Sequence, residues 1–151
     1  LEAVVAEIAG VSPGYRIHID APGSLPAAVV DAVKFGEIFT NLIGNAVKYS
    51  PAGGDVHVSA GTDAQGNVVI MVTDEGLGIA EDDVRQLFTS FHRVRRPETV
   101  SVRGTGLGLY IVKVLVEMMH GSVEVSSELN VGSAFSVTFP SQSRGEWRRA
   151  S

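Results

Sequence analysis

The chain has 151 residues and a formal net charge of −5, it contains no cysteine, and 44% of its residues are hydrophobic. This length and composition predict one soluble globular domain with a substantial core. The acidic balance argues against nucleic-acid binding, and the lack of cysteine excludes disulfides and thiolate metal sites. No apolar run is long enough to span a bilayer. Because the first residue is Leu1 rather than methionine, we expect a piece of a longer protein.

Hydrophobic periodicity and turn residues predict alternating helices and strands. In chain order these are a helix Leu1–Ala9, a strand Tyr15–Asp20, a helix Lys34–Ser50, a hairpin Asp55–Gly61 and Asn67–Thr73, a helix Leu109–Met119, and strands Ser122–Ser127 and Ser133–Phe139. This order predicts an α+β fold, a two-layer sandwich with helices on one face of a mixed sheet. The apolar run VVIMVT at 68–73 favours a strand that is covered on both faces.

The helix predicted over Lys34–Ser50 carries a polar stripe beside its apolar one. Its members share one helix face and are Lys34, Glu37, Asn41, Asn45 and Lys48. Asparagine is a poor helix former, because each one costs the helix roughly half a kcal/mol of stability relative to alanine. Two asparagines one turn apart therefore favour a binding function, although a solvated polar face is the alternative for the helix alone.

Asp74 ends the second predicted hairpin strand and is followed by Gly76 and Gly78. Glycines at these positions let the backbone pass close to a ligand. A carboxylate at the bottom of an apolar pocket can accept a hydrogen bond from an exocyclic amine. The alternative is a turn aspartate after a strand.

The segment GTGLG at 104–108 precedes the predicted helix Leu109–Met119, a placement that directs backbone N–H groups toward an anion. Its spacing differs from the dinucleotide fingerprint, and the chain has no Walker A motif. The nearby arginines Arg93, Arg95, Arg96 and Arg103 favour phosphate binding over a merely solvated face. Phe88 and Phe91, three residues apart, are interpreted as core anchors.

Four segments resemble the N, first glycine, F and second glycine boxes of sensor histidine kinases. They are NLIGNAVKYS (41–50), DEGLGI (74–79), LFTSFHR (87–93) and GTGLGL (104–109), in the order typical of that family. The resemblance covers residues 1–140, an ATP-binding catalytic domain, and leaves 141–151 as a polar tail. It implies the Bergerat fold of the GHKL superfamily, with ATP and Mg²⁺ between the asparagine helix and a lid at Arg95–Arg103.

The resemblance also implies the roles of individual residues. Asn45 would coordinate Mg²⁺, Asn41 would support the metal, Lys48 would contact phosphate and Arg93 would reach toward the γ-phosphate, so these four would be catalytic. Asp74 would accept from the adenine amino group. Phe88 and Phe91 would pack the base of the lid and the contact with the partner domain. The nucleotide contacts implied in full are Asn41, Asn45, Lys48, Tyr49, Asp74, Gly76, Gly78, Ile79, Arg93, Gly104, Thr105, Gly106, Leu107, Gly108 and Leu109.

Hydrolysing relatives carry a water-activating glutamate four residues before the metal asparagine, whereas this chain has Asn41, which cannot act as a base. Histidine kinase activity is therefore expected, with transfer to a histidine on a separate helical dimerisation domain and a response regulator downstream. His18, His57, His92 and His120 do not match the acceptor pattern and are interpreted as structural. The alternatives are a GHKL serine kinase of the anti-sigma type and a non-catalytic ATP-sensing module. We expect a cytoplasmic domain, compatible with a membrane-anchored parent.

Overall fold

The computed structural model describes residues 1–3, 5–6, 14–92, 94, 97 and 104–142. Within these residues, five strands form one mixed sheet, and three helices with fully described bounds flank it. The strands are β1 (Tyr15–Asp20), β2 (Gly54–Thr62), β3 (Val68–Asp74), β4 (Ser122–Glu128) and β5 (Gly132–Phe139). The helices are α1 (Ala32–Lys48), α2 (Glu81–Val84) and α3 (Gly108–Met118).

The spatial order of the sheet is β1-β2-β3-β5-β4. β1 runs parallel to β2, and the other neighbouring pairs are antiparallel. β3 therefore lies at the centre of the sheet, where its last residue, Asp74, pairs with Val56 of β2 and Ser133 of β5. This register places the predicted adenine-binding carboxylate in the middle of the fold.

One face of the sheet packs against α1 and α3 and forms the core. Every second residue of the central strands is buried, including Val58, Val72 and Val137. These side chains share one cluster with Phe39 of α1 and Val116 of α3. The one-sided sandwich, the five predicted strands and the predicted helices Lys34–Ser50 and Leu109–Met119 are therefore confirmed, with the strand and helix ends shifted by two residues at most.

The opposite face of the sheet is more open, which corrects the prediction for β3. Val68, Ile70, Val72 and Asp74 are buried, whereas Met71 is 38% exposed. The other face of the strand is only partly covered, since Val69 and Thr73 on it are half-buried. The apolar composition of the strand therefore does not indicate complete burial on both faces.

The segment between α2 and α3 corrects a second prediction. Phe88 is partly buried and meets the ring of Phe135 edge-on, with ring centroids 6.5 Å apart. Phe91, in contrast, is 74% exposed and has a positive φ of 62°. Phe88 is thus a core anchor, as predicted, and Phe91 is not.

The ends of the chain are described in part. Glu2, Ala3, Val5 and Ala6 are helical, whereas residues 4 and 7–9 of the predicted first helix lie outside the described residues. So do 143–151 and, apart from Pro97, the predicted lid at 95–103. Ser141 still pairs with Ala28 in an isolated bridge. None of the helices in the described part of the chain is long and apolar enough to cross a membrane.

Candidate functional site

The C-terminal half of α1 forms one wall of a cavity. Asp31 caps the start of this helix, since its Oδ1 accepts hydrogen bonds from the N–H groups of Val33 and Lys34, both at 3.0 Å. The apolar stripe of α1 faces the sheet, and Asn41, Asn45 and Lys48 line the cavity. Burial of the apolar stripe therefore directs this polar part of the helix toward the cavity.

Asp74 lies in the same cavity wall, at the end of β3, and is only 7% exposed. Its Oδ1 accepts a hydrogen bond of 2.8 Å from the N–H of Gly76. Burial raises the pKa of Asp74 above its ordinary value, because the surroundings disfavour the charged form more than backbone hydrogen bonds from Gly76 and Ser133 favour it. A donor that approached this carboxylate would therefore meet an acceptor with little competition from water.

The glycines after Asp74 are required by close contacts. A Cβ on Gly76 would overlap the carbonyl oxygen of Tyr49, and one on Gly78 would overlap the carbonyl oxygen of Glu128. Gly78 also has a φ of +61°, which favours glycine. The first glycine box thus fits tightly between the end of α1 and the β4–β5 hairpin.

The second glycine box closes the cavity from the other side. A Cβ on Gly104 would lie 2.8 Å from Nζ of Lys48, and one on Gly108 would lie 2.7 Å from Oδ1 of Asn41. The N–H of Phe91 donates to the carbonyl oxygen of Gly106 over 3.1 Å, which links the F segment to this loop. The N-terminus of α3 is therefore held against the polar stripe of α1, and its first two residues, Gly108 and Leu109, line the cavity.

The cavity has a volume of about 230 Å³. The three groups predicted to meet there, Asn45, Asp74 and Gly106, all line it. Of the other residues predicted to contact nucleotide, Asn41, Lys48, Tyr49, Gly78, Ile79, Gly104, Thr105, Gly108 and Leu109 line it too. Gly76 and Leu107 are not in its wall, and Arg93 lies outside the described residues.

Sequence reasoning did not assign seven further residues of the cavity wall to the site. They are Ala46, Leu77, Leu87, His92, Val94, Ser133 and Phe135. Alternation along β5 indicates that Ser133 and Phe135 share a face with each other, but not that this face meets Asp74. His92 was interpreted as structural, and its Nε2 is buried without a hydrogen-bond partner in the described residues, 3.8 Å from Oδ1 of Asp83. Only the tertiary structure brings it to the cavity.

This arrangement fits an adenine nucleotide. Leu77, Ile79 and Phe135 supply apolar walls around the carboxylate of Asp74, as a planar base with one amine requires. The ammonium of Lys48 and the N-terminus of α3 supply positive potential for a polyanion at the other part of the cavity.

A family model confirms this interpretation. The model described as "Histidine kinase-, DNA gyrase B-, and HSP90-like ATPase" matches residues 30–143. The chain belongs to this ATPase family. The matched range contains all four segments that carry the resemblance, and the family predicted from them is confirmed.

Among curated relatives of this ATPase domain, the sensor-like histidine kinase SenX3 of Mycolicibacterium smegmatis is 43% identical over 127 residues. The adaptive-response sensory kinase SasA of Synechococcus elongatus is 35% identical over 125 residues. The aligned parts cover 84% and 83% of this chain, but only 30% and 32% of the relatives. The chain thus spans about a third of the sensor kinases that it resembles.

Solved structures agree with the predicted fold. The mycobacterial sensor histidine kinase MprB superposes with a TM-score of 0.78 at 25% identity and covers 93% of this chain and 91% of its own. Full-length ShkA in complex with AMPPNP superposes with a TM-score of 0.74 at 32% identity, over 94% of this chain and 30% of its own. The fold is that of the catalytic ATPase domain of histidine kinases.

Proposed function

We propose that this ATPase-family domain binds ATP with Mg²⁺ and transfers the γ-phosphate to a histidine on a separate helical dimerisation domain. The observation that carries the proposal is the convergence of Asn41, Asn45, Lys48, Asp74 and the second glycine box on one cavity. Asp74 accepts from the adenine amine, and Lys48 with the amides around Gly106 holds the phosphates. Tyr49, Gly78 and Ile79 form the wall beside the base.

The donors present fit Mg²⁺ only together with a nucleotide. In the described residues, the one group of three histidine or carboxylate side chains close enough to share a metal lies elsewhere, on β1 and β2. The cavity instead offers the amide side chains of Asn45 and Asn41. Mg²⁺ prefers oxygen ligands and commonly takes several of them from phosphate and water. Asn45 would therefore hold an ion whose charge neutralises the triphosphate, and Asn41 would support it.

The absence of a carboxylate at position 41 favours transfer over hydrolysis. The Nδ2 of Asn41 donates to the carbonyl oxygen of Glu37 over 2.9 Å, so its Oδ1 faces Gly108 and α3. An amide in this position can orient a ligand but cannot take a proton from water. The γ-phosphate is thereby held for a nucleophile that arrives from outside, and catalysis rests on positioning and charge stabilisation. Arg93 is proposed to act at the γ-phosphate.

The nucleophile is proposed to belong to the parent kinase, whose response regulator would act downstream. The side chain of Phe91 is exposed, and its N–H donates a hydrogen bond to the carbonyl oxygen of Gly106 in the second glycine box. An acceptor domain is proposed to contact this side chain, next to the part of the cavity that would hold the γ-phosphate. Because ATP is the substrate, we place the domain in the cytoplasm.

The test mixes this chain with a separately produced acceptor-histidine domain of a similar sensor kinase and γ-labelled ATP. We expect acid-labile, alkali-stable label on the acceptor, typical of phosphohistidine, in the presence of Mg²⁺. The variant Asn45→Ala, which removes the proposed oxygen ligand of Mg²⁺, should lose ATP·Mg²⁺ binding in calorimetry and all transfer. Gln65→Ala, the same removal of an amide at an exposed turn, should retain both.

Two results would count against histidine transfer. Tight ATP binding with no labelled histidine on any acceptor would favour an ATP-sensing module. Acid-stable label on a seryl protein would favour the anti-sigma type of serine kinase. Unchanged ATP·Mg²⁺ affinity in Asn45→Ala would remove the assignment of the metal ligand itself.

A further inference from the structure

The first two strands carry a cluster of histidine and aspartate side chains away from the nucleotide cavity. In the parallel β1–β2 pair, His18 is the direct partner of His57, and Arg16 is the direct partner of Asp55. Val56 and Val58 of β2 are buried in the core. Because side chains alternate along a strand, His18, Asp55 and His57 project from the opposite, open face of the sheet. Both histidines are exposed.

The three side chains are close enough to share a ligand. The imidazole rings of His18 and His57 stack with centroids 4.8 Å apart and an angle of 15° between their planes. Nε2 of His18 lies 3.5 Å from Oδ1 of Asp55. One donor atom from each of the three residues can be chosen so that all lie within 4.8 Å of one another.

We propose that His18, Asp55 and His57 form a binding site for a late first-row divalent metal ion, of the class of Zn²⁺, Ni²⁺ or Cu²⁺. Two imidazoles and one carboxylate are a donor set that these ions prefer, whereas Mg²⁺ prefers oxygen alone. Metal–ligand distances of about 2.0–2.2 Å require the donors to approach somewhat closer than they lie here. Side-chain rotation at an exposed site supplies that adjustment, and water completes the coordination.

The backbone beneath the cluster belongs to two paired strands of the sheet. All three residues lie on strands that are hydrogen-bonded to each other in the sheet, so the ligands start near one another without a folding cost. The ion would bridge the edge strand β1 to β2. Metal binding should therefore stabilise the folded state, because the unfolded chain does not hold these three residues together.

Arg16 competes with the ion for the carboxylate of Asp55. Its Nε donates to Oδ1 of Asp55 over 2.7 Å and its Nη2 to Oδ2 over 3.3 Å. This guanidinium occupies the carboxylate and adds positive charge beside the site, and both effects oppose a cation. Arg16→Gln should therefore tighten metal binding severalfold, an outcome that a purely structural ion pair does not predict.

The primary test is calorimetric titration of the nucleotide-free chain with Zn²⁺. We expect one ion per chain, with an affinity reduced about tenfold or more in His18→Ala and in His57→Ala, since even an outer-shell partner of a metal site is commonly worth that much. His120→Asn is the matched control, because His120 is exposed, lies outside the cluster and has a left-handed φ of 59° that asparagine tolerates. It should bind Zn²⁺ as the wild type does.

The second readout is thermal unfolding. Zn²⁺ should raise the melting temperature of the wild type and of His120→Asn, but not that of the double variant His18→Ala/His57→Ala. The site would be refuted if the wild type bound no Zn²⁺, or if the His57→Ala variant bound it equally well. Loss of Zn²⁺ binding in Asn45→Ala, which removes an oxygen donor from the nucleotide cavity, would instead place the ion there and refute the site too. ATP affinity of the two alanine variants should stay unchanged, so this test does not depend on the proposed kinase function.

Discussion

Asp74 combines burial with a charge, and this combination gives it a measurable effect on stability. Burial raises its pKa in the folded state above the ordinary value of 3.8. The folded state therefore binds the proton more tightly than the unfolded state, and stability is lost as pH rises through the raised pKa. Below 3.8 the group is protonated in both states, and this loss is absent.

We accordingly expect Asp74→Asn to have a higher free energy of unfolding than the wild type at pH 7 without ligand. The difference should shrink as the pH falls toward 3.8, and urea unfolding at several pH values measures it. Asp63→Asn is the control, and it should lower the free energy of unfolding at pH 7 rather than raise it. Hydrogen bonds from Asn67 lower the pKa of Asp63, so its charge stabilises the fold above its ordinary pKa. A less stable Asp74→Asn at pH 7 would contradict the burial argument.

The same carboxylate should determine base selectivity. Inosine triphosphate replaces the exocyclic amine of ATP by a carbonyl, which an ionised Asp74 cannot bind. We expect the wild type to prefer ATP by roughly 10- to 100-fold, as hydrogen bonds to charged groups contribute about 1.5–3 kcal/mol. Asp74→Asn should lose or invert this preference, since its amide can donate to the carbonyl.

Competition binding with both nucleotides measures this ratio. Glu75→Gln, an exposed neighbour of Asp74, should keep the wild-type preference. An unaltered ratio in Asp74→Asn would show that the adenine amine binds elsewhere.

At the scale of elements, the site depends on how closely α3 approaches α1. Gly108, the first residue of α3, leaves just enough room for the side chain of Asn41. The turn at 76–79 is held by similar contacts, since Leu77 donates to the carbonyl oxygen of Tyr49 over 3.0 Å and accepts from the N–H of Asn130 over 2.8 Å. The end of the β4–β5 hairpin and the start of α3 therefore shape the cavity together with the polar face of α1.

Gly108→Ala tests this arrangement. The added methyl group should displace Asn41 and lower ATP affinity about tenfold, since one hydrogen bond to a charged group contributes about 1.5–3 kcal/mol. Overpacking should also lower stability, by about 1–3 kcal/mol at most. Calorimetry and urea unfolding separate the two effects.

The matched control is Gly36→Ala in α1. A Cβ on Gly36 meets no atom within 4 Å, so this variant should gain about 1 kcal/mol of stability and bind ATP normally. Equal ATP affinities for the two variants would contradict a tight contact between α3 and Asn41.

At the scale of the whole molecule, a bound ligand should hold together elements that are distant in the sequence. α1, β3, the F segment and α3 all contribute to the cavity. ATP at 100 times its dissociation constant should therefore add about 2.7 kcal/mol to the free energy of unfolding. For a domain of this size that corresponds to a rise of roughly 5–10 °C in melting temperature.

This rise should depend on Mg²⁺ and fall sharply when EDTA removes it. AMP, which lacks the β- and γ-phosphates, should give a much smaller shift, and scanning calorimetry of the same sample measures each case. A full shift with EDTA present would exclude the proposed role of Asn45.

The sequence alone determined the family, the order of elements and most of the residues that line the cavity. Asn41, Asn45, Asp74 and the second glycine box could be singled out because each lies in a local pattern whose backbone requirements limit the residue types, and their roles toward a nucleotide stay predictions. Helical spacing, glycine conformation and strand ends are local properties, and they can be predicted without knowledge of the fold. Arg93 stays a prediction, as it lies outside the described residues.

The tertiary structure alone decided which residues face one another. Exposure of Phe91, one-sided burial of β3, and the cavity positions of His92, Ser133 and Phe135 follow from contacts between segments distant in the chain. The pairing of His18 with His57 likewise depends on the parallel register of β1 and β2. Hydrophobicity and spacing describe one segment at a time, whereas burial and proximity depend on the partner against which each segment packs.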